Sequence, residues 1–327
     1  MQSWPDVFSK FNDLKVLIIG DVMVDAYIWG AVERISPEAP VPIINVLKRD
    51  YRLGGAANVA LNIMALGAQP VLCSLIGKDD YGKRLLHLLE EKGMTSEGIV
   101  ASTFRQTTIK ARVIAAHQHV VRIDDESDAP ANQQEEIELL DKIEMLLSDC
   151  QVVIFEDYDK GVITPGIIEK VVAMSKQRGI PTVVDPKKRN FLHYQNVTLF
   201  KPNLKELREG LKIEIDAKDQ SSVNHAVEQV KKRLGVEGVM LTLSEHGVFI
   251  DYKNSKLRIP AHIRAIADVS GAGDTVISIA ALCVALNLDS EKVGALSNLG
   301  GGLVCQHVGV VPIDREELLQ EARLTLI

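Results

Sequence analysis

Short apolar runs of strand length alternate with helical patterns along almost the whole chain. The runs are continuous rather than alternating, as in the strands of a parallel sheet that is buried on both faces. Helix signals stand between them: Thr164 and Pro165 start one helix and Gly179 ends it. The pattern predicts an α/β fold, with a doubly wound, mostly parallel sheet flanked by helices. The predicted strands are residues 15–20, 70–77, 152–155, 181–185, 197–200 and 238–243.

Two segments depart from this alternation. Residues 31–49 contain three prolines and then an alternating run, and residues 107–124 again alternate apolar with polar positions. A period of two is typical of strands with one exposed face. We expect the two segments to form a small β-sheet lid, inserted in a single domain over residues 1–327, that covers a site at the strand ends.

Composition narrows the class of protein. The 327 residues are 46% hydrophobic and 25% charged, which is ordinary for a globular protein and excludes disorder, collagen and coiled coil. The net charge of −7 argues against a nucleic-acid partner or an anionic membrane surface. An anionic ligand must therefore be held by a local group of residues.

The sequence gives no sign of export or of a membrane span. The four cysteines are far apart and lack the spacing of zinc ligands or of a disulfide framework. The first fifteen residues are polar and mixed in charge, unlike a signal peptide. The apolar stretch 275–288 is shorter than the roughly 20 residues of a helical span. We expect a cytoplasmic protein.

The turn at residues 268–275 carries the sharpest chemical signal. Gly271, Ala272 and Gly273 precede an apolar helix, so that backbone N–H groups at the helix start are free to bind an anion. Asp274 lies in the same turn, within reach of that anion. Amides that stabilise a moving phosphoryl group, beside a carboxylate that accepts a proton, suit phosphoryl transfer. The alternative is that Asp274 only caps a buried helix.

Two further motifs suit a ligand with hydroxyl groups. Gly54 and Gly55 open a helix of small residues that contains Asn58, whose side chain both donates and accepts. Close helix–sheet packing is an equal alternative for that motif. Asp21 and Asp25 follow the first predicted strand, at the edge where open α/β sheets bind ligands.

Two strand ends carry lysine together with acidic or amide residues, at 185–187 and 201–206. Asn203 and Glu206 lie three residues apart, on one face of a helix that begins there. Their oxygens could hold Mg²⁺-bound water beside a triphosphate, or they could simply cap the helix. The first βα turn lacks G-x-G-x-x-G and the P-loop motif does not occur, which argues against a dinucleotide-binding or P-loop protein.

The order of these motifs, together with GKDDYG at 77–82, resembles the ribokinase-like (PfkB) carbohydrate kinase family over nearly the whole chain. Within it, five strings resemble the D-glycero-D-manno-heptose 7-phosphate kinases: GDVMVDAY at 20–27, RISPEAPVP at 34–42, GGAANVA at 54–60, DYDKG at 157–161 and DVSGAGDT at 268–275. The resemblance implies ATP-dependent phosphorylation of the anomeric hydroxyl of this heptose phosphate to the 1,7-bisphosphate, toward lipopolysaccharide. The chain length suggests that the adenylyltransferase fused to this kinase in bifunctional relatives belongs to another chain.

The resemblance also implies roles for individual residues. Asp274 would be the general base, and the anion hole would be formed by the amides of Gly271, Ala272 and Gly273. Sugar hydroxyls would be held by Asp25, Gly54, Gly55 and Asn58. The triphosphate and Mg²⁺ would be faced by Asn203 and Glu206, with Glu206 reaching the metal through water. The nucleotide pocket would be lined by Thr242, Ser244, Gly247 and Asn298.

Local cations are the candidates for the second phosphate of the substrate. They are Arg34, Lys110, Arg112 and Lys160, of which Lys110 and Arg112 share one face of a predicted strand. Solvated positions on lid strands are the alternative. Ser244 stands where the family more often has glycine, and the segment 300–309 is unusually rich in glycine. These departures leave dependence on a monovalent cation open.

Two other functions are compatible with the sequence. One is a different PfkB kinase, acting on fructose 1-phosphate, tagatose 6-phosphate or a free sugar. The other is a non-catalytic regulator that binds a sugar or a nucleotide. Exposed lid strands present open edges, so we also expect a homodimer formed through the lid.

Overall fold

The computed structural model describes residues 3–115, 118–262 and 266–326. Its helices are α1 (Trp4–Phe11), α2 (Ala56–Ala65), α3 (Asp80–Glu91), α4 (Gln133–Leu147), α5 (Pro165–Gln177), α6 (Leu204–Leu211), α7 (Gln220–Leu234), α8 (Ala272–Ala285), α9 (Ser290–Val304) and α10 (Arg315–Thr325). Its strands are β1 (Lys15–Gly20), β2 (Val22–Ile35), β3 (Pro42–Gly55), β4 (Gln69–Gly77), β5 (Ile99–Ser102), β6 (Ile109–Ala115), β7 (Gln118–Asp125), β8 (Val152–Glu156), β9 (Thr182–Asp185), β10 (Leu199–Phe200), β11 (Gly238–Thr242), β12 (Val248–Tyr252) and β13 (Ser255–Ile259).

Nine strands form the main sheet, in the order β13-β12-β11-β10-β9-β8-β1-β4-β5. The pairs from β11 to β5 are parallel, and β12 and β13 extend the sheet antiparallel. Beside β1 the order reverses, because β4 lies on one side of it and β8 on the other. Such a switch point is where open α/β sheets bind ligands. The predicted mostly parallel sheet is confirmed.

The continuous apolar strands are explained by apolar layers on both faces of this sheet. Along β1, Val16 and Ile18 belong to one buried cluster, whereas Leu17 and Ile19 belong to the other. The first cluster includes residues of α2, α8 and α9, and the second includes residues of α4, α5 and α7. Each such side chain contributes roughly 1.5–3 kcal/mol by its burial. Helices therefore cover both faces and leave the strand ends open.

Helices α8 and α9 pack closely because of two glycines. A Cβ on Gly300 would collide with Ile279, and one on Gly301 would lie 2.7 Å from Val276 Cγ2. Both glycines belong to the glycine-rich segment 300–309, whose composition is thus explained in part by helix packing. Although α8 is buried along most of its length, no helix in the described ranges is long and apolar enough to cross a membrane.

The predicted small sheet is also present, in the order β3-β2-β6-β7. Strand β2 pairs antiparallel with β3 and parallel with β6, which pairs antiparallel with β7. The strands β2 and β3 are longer than the expected segment 31–49, and residues 116–117 of the other segment lie outside the described residues. The first six residues of β2 are buried on both faces, so the sequence shows no alternation of apolar and polar residues there.

Candidate active site

Helix α8 presents Asp274 at the carboxyl edge of the main sheet. Gly271 precedes the helix with a φ of 80°, a left-handed backbone conformation that favours glycine. A Cβ on Gly273 would lie 3.6 Å from Asp185 Oδ2 and 3.9 Å from Lys201 Nζ. The amide of Ala272 donates to the carbonyl of Val269 at 3.3 Å. The helix N-terminus and the buried Lys201 together make this turn favourable for an anion.

Asp274 is buried and held by two side chains. Its Oδ2 accepts a hydrogen bond from Asn58 Nδ2 at 2.6 Å, and its Oδ1 accepts one from the Tyr158 hydroxyl at 2.8 Å. Burial raises the pKa of Asp274 to about 6, although both hydrogen bonds oppose the rise. The carboxylate is therefore charged at neutral pH and able to accept a proton. Asn58, expected at the sugar, donates here to the candidate base.

Asp25 lies in the buried part of β2 and forms an ion pair with Arg112 of β6. Gly54 leaves the room that this carboxylate needs, because a Cβ there would collide with Asp25 Oδ2. Gly55 has a φ of 61°, and a Cβ there would meet the carbonyl of Asp21. The expected sugar-binding residues Asp25, Gly54 and Gly55 therefore lie together, where the lid sheet leaves the main sheet.

Asp21 binds the backbone of the loop after β8. Its carboxylate accepts the backbone N–H groups of Tyr158 at 2.9 Å, Lys160 at 3.1 Å and Val162 at 2.9 Å. Burial raises the pKa of Asp21, and these three hydrogen bonds oppose the rise. Backbone donors thus meet both of its oxygens, and Asp21 fixes the loop after β8; a contact of Asp21 with sugar hydroxyls stays a prediction.

The lysines expected at the second phosphate converge on one carboxylate. Lys110 Nζ lies 2.9 Å from Glu126 Oε2, and Lys160 Nζ lies 2.6 Å from Glu126 Oε1. Arg34 does not lie with them, since it is exposed near the far end of β2. At about 3.3 Å per residue, it is about 30 Å from Asp25 along that strand.

The residues expected at the nucleotide lie near the ends of β10 and β11 and in α9. Asn203 and Glu206 form a reciprocal cap of α6: Asn203 Oδ1 accepts the Glu206 amide at 2.8 Å, and Glu206 Oε2 accepts the Asn203 amide at 2.8 Å. The capping alternative is thus observed. Thr242 bridges to Asn203, and Ser244 and Gly247 form the turn after β11. The Asn298 side chain donates to the Pro260 carbonyl at 2.8 Å.

Two lysines join this region to the α8 turn. Lys201 Nζ lies 2.7 Å from Asp185 Oδ2, with both side chains buried, and Lys187 Nζ lies 2.5 Å from Glu206 Oε1. Burial alone raises the pKa of Asp185, but Lys187 and Lys201 together bring it below its ordinary value. Two lysine–carboxylate pairs therefore connect the N-terminus of α8 with the first turn of α6.

The sequence agrees with this geometry, since residues 13–316 match the pfkB family carbohydrate kinase description. The chain belongs to the pfkB family of carbohydrate kinases. This pfkB kinase is 39% identical over 311 residues to the bifunctional protein HldE of Syntrophotalea carbinolica, which covers 95% of this chain and 63% of that protein. It is 39% identical over 305 residues to the bifunctional protein HldE of Wolinella succinogenes. That match covers 93% of this chain and 64% of that protein. The chain thus spans just under two thirds of the length of these relatives.

Solved structures share the fold of this pfkB kinase. The tetrameric inhibited form of phosphofructokinase-2 from Escherichia coli superposes with a TM-score of 0.76 at 16% identity, covering 95% of this chain and 98% of that one. Arabidopsis thaliana ribokinase complexed with ribose and ATP gives a TM-score of 0.70 at 16% identity. That match covers 94% of this chain and 99% of the ribokinase chain. The ribokinase-like fold is confirmed, and family membership makes the chain an enzyme that phosphorylates a sugar with ATP. No observation favours the non-catalytic regulator.

Three polar residues of the pfkB kinase site carried no role in the sequence interpretation. Tyr158 lies in the DYDKG string, but an uncharged tyrosine gives little signal there. Glu126 follows a lid strand without any motif, and its importance depends on two lysines distant in sequence. Lys201 stands in a recognised strand-end motif, yet only the fold shows that it reaches Asp185 and the α8 turn.

Proposed function

We propose that this kinase phosphorylates the anomeric hydroxyl of D-glycero-D-manno-heptose 7-phosphate, giving the 1,7-bisphosphate for a lipopolysaccharide precursor. The observation that carries the proposal is the pairing of Asp274, at a helix N-terminus, with a separate lysine pair on the lid side. A single anion-binding site, for the phosphates of ATP, would suit a kinase of a free sugar. A second anion-binding site with its own lysines suits a kinase of a sugar phosphate. The similarity to proteins named HldE supports the same substrate.

The proposed reaction proceeds with Asp274 as general base. The anomeric oxygen forms a bond to the γ-phosphorus of ATP while the bond from that phosphorus to the bridging oxygen breaks and ADP leaves. The hydroxyl proton passes to Asp274, whose carboxylate is charged at neutral pH. The amides at Gly271 and Gly273 and the charge of Lys201 stabilise the negative charge on the transferring group, and the Ala272 amide joins them only if it leaves the Val269 carbonyl. Asp25 and the backbone at Gly54 and Gly55 orient the sugar.

ATP is proposed to lie along α6 and the turn after β11, with its base near Thr242, Ser244, Gly247 and Asn298. Mg²⁺ would supply charge neutralisation on the phosphates, held through water by Glu206 beside Asn203. The chain fits a hydrated cation in this region, because the buried Asp185 Oδ1 has no hydrogen-bond partner among the described residues and lies 3.5 Å from Lys187 Nζ. A monovalent cation stays a hypothesis, and the use of ATP supports a cytoplasmic enzyme.

The distal phosphate is proposed to bind Lys110 and Lys160 in place of Glu126. Glu126 already shows the geometry of an anion bound between these lysines, one on a lid strand and one on the loop after β8. Arg112 lies in the same strand face but is paired with Asp25. The substrate phosphate would therefore draw the lid lysine and the loop lysine onto one ligand.

A substrate panel tests the proposed reaction. Heptose 7-phosphate, fructose 1-phosphate, tagatose 6-phosphate and free sugars would be compared with ATP and Mg²⁺, with ADP release and the phosphorylated position as readouts. The expected result is the highest kcat/KM for heptose 7-phosphate, with phosphate added at the anomeric carbon. Turnover of a hexose phosphate without turnover of heptose 7-phosphate would favour the other PfkB kinase instead.

Replacing Lys110 by Met should raise KM for the sugar phosphate by about 10–100-fold, since one charged hydrogen bond to the phosphate is lost. The kcat and the KM for ATP should change little. Lys48→Met is the matched control, because Lys48 is an exposed lysine of the same sheet. An equal rise in KM for the sugar without its phosphate would show that Lys110 does not bind the phosphate.

We also propose a single kinase domain whose lid sheet forms a homodimer. The lid strands expose apolar side chains, among them Val121, which is 48% exposed, and Ile123, which is 54% exposed. Both lie on one face of β7, opposite Val113 and Ala111 of β6. Such a patch on an open sheet is suited to pairing with a second copy.

Ile123→Lys should convert the dimer to a monomer, because a charge would be buried in the interface. Light scattering over a range of protein concentrations measures the change. Leu192→Lys places the same charge at an exposed apolar position outside the lid and should leave the mass unchanged. A wild-type protein that is monomeric at working concentration would contradict the lid dimer.

A further inference from the structure

Tyr158 contacts the candidate base directly. Its hydroxyl donates to Asp274 Oδ1 at 2.8 Å, while Asn58 Nδ2 donates to Oδ2 at 2.6 Å. The carboxylate plane is thus set by two donors from different elements, one in α2 and one in the loop after β8. Burial and the nearby Asp274 charge raise the pKa of Tyr158 well above its ordinary value, so the hydroxyl keeps its proton and acts as a donor.

The position of Tyr158 is fixed independently of Asp274. The carboxylate of Asp21 accepts the Tyr158 and Lys160 amides, as described above, and Asp157 Oδ1 accepts the Asp159 amide at 2.9 Å. Gly161 turns the loop with a φ of 85°, where a Cβ would collide with the carbonyl of Ala129. The backbone of the loop therefore carries the tyrosine to its place, and the contact with Asp274 is a consequence of that placement.

The charges around Asp274 make such a contact valuable. Asp185 lies close enough to disfavour its ionised form, and Lys201 opposes that effect. If Asn58 turns to a sugar hydroxyl when substrate binds, as the sequence resemblance implies, one of the two donors on Asp274 is lost. Tyr158 is then the donor that continues to orient the carboxylate and to stabilise its charge before proton transfer.

We propose that Tyr158 is a positioning residue for the reaction: its hydroxyl holds Asp274 in the orientation and ionised state that accept the proton of the sugar hydroxyl. The inference rests on the proposed role of Asp274 as general base. It gives the DYDKG string two tasks, since Tyr158 acts on the base and Lys160, two residues later, lies at the proposed phosphate site.

The test is the pH dependence of kcat in Tyr158→Phe, measured between about pH 5 and pH 9 with saturating substrates. In the wild type, activity should fall as pH drops through about 6, because protonated Asp274 cannot act as a base. Without the hydroxyl, the charged form loses a hydrogen bond, its pKa rises, and the acidic limb should move up by about one unit. The variant should then be about fivefold slower near pH 6, approach a tenfold deficit near pH 5, and recover most of its activity above pH 8.

Tyr194→Phe is the matched control. Its hydroxyl is also buried and donates to a carboxylate, Asp157 Oδ2, at 2.7 Å, but no contact joins it to Asp274. This variant should keep the wild-type acidic limb. If Tyr158→Phe folds poorly, 3-fluorotyrosine at position 158 keeps the shape and makes the hydroxyl a stronger donor, so the limb should move to lower pH.

The outcomes separate this inference from the proposed function. An unshifted limb in Tyr158→Phe, or a rate lowered equally at every pH, would overturn the positioning role. If Asp274→Asn abolishes turnover in the same experiments, the general base stands although Tyr158 does not act on it. If Asp274→Asn is fully active, the proposed base itself fails.

Discussion

Replacing Asp274 by Asn should lower kcat by about 10³-fold, within the usual range for loss of a general base. The amide cannot take the proton of the attacking hydroxyl at any pH, so raising the pH should not restore the rate. The helix N-terminus and Lys201 are unchanged, and ATP affinity should therefore stay within about threefold of the wild type. Steady-state kinetics and calorimetric titration with ATP measure the two quantities.

Asp289→Asn is a suitable control for that substitution. Asp289 also stands at the start of a helix, where its side chain accepts the Lys292 amide at 2.9 Å, but it lies at α9 and is exposed. Asn caps a helix about as well as Asp, so this replacement should change the stability little and leave kcat unchanged. Comparable kcat values for wild type and Asp274→Asn would remove Asp274 from the mechanism.

Replacing Lys201 by Met should lower the free energy of unfolding by about 3 kcal/mol, because it leaves the buried Asp185 short of a counter-charge. Lys187, at 3.5 Å from Asp185 Oδ1, compensates in part and keeps the loss near the lower end of the range for broken buried pairs. Turnover should fall as well, since the α8 turn loses its nearest cation. Urea unfolding gives the stability, and assays at a temperature well below the transition give the rate.

Lys205→Met provides the comparison. The Lys205 side chain is 82% exposed and its pair with Glu209 spans 3.9 Å, so the change should stay within about 0.5 kcal/mol. A double-mutant cycle with Asp185→Asn should give a coupling energy for the buried pair well above that of the surface pair. Equal stability of Lys201→Met and the wild type would show that Lys187 alone neutralises Asp185.

The main sheet could be predicted because its strands have a simple environment. Strands such as β1 and β8 are covered by helices on both faces, so that each contains four consecutive apolar residues and the run stands out. Helix ends with Thr-Pro at the start and glycine after the end were equally clear, as α5 shows. The small sheet was harder, because β2 begins as a buried strand and ends as an exposed one. Only the outer half of the small sheet shows the alternation of apolar and polar residues that predicts a strand with one exposed face.

The candidate site could be predicted where residues act through their backbone or their motif, and less well where they act through distant partners. The α8 turn is visible because glycine and aspartate are consecutive. In contrast, Asp21 resembles Asp25 in the sequence, yet one is taken up by three backbone amides and the other faces Arg112. Which carboxylate accepts the backbone amides depends on where the loop after β8 passes, and that is a property of the folded chain.

Strand β2 also determines where the chain tolerates insertions and deletions. Asp21 lies between β1 and β2, and Asp25 follows four residues later in β2. The same strand continues to Ile35, at the outer end of the small sheet. Because side chains alternate along a strand, losing one residue between these two aspartates would turn Asp25 and every later lid residue to the opposite face. The turn between β2 and β3, residues 36–41, is free of that constraint. Natural variation in length should therefore concentrate at this turn and be absent from residues 21–25.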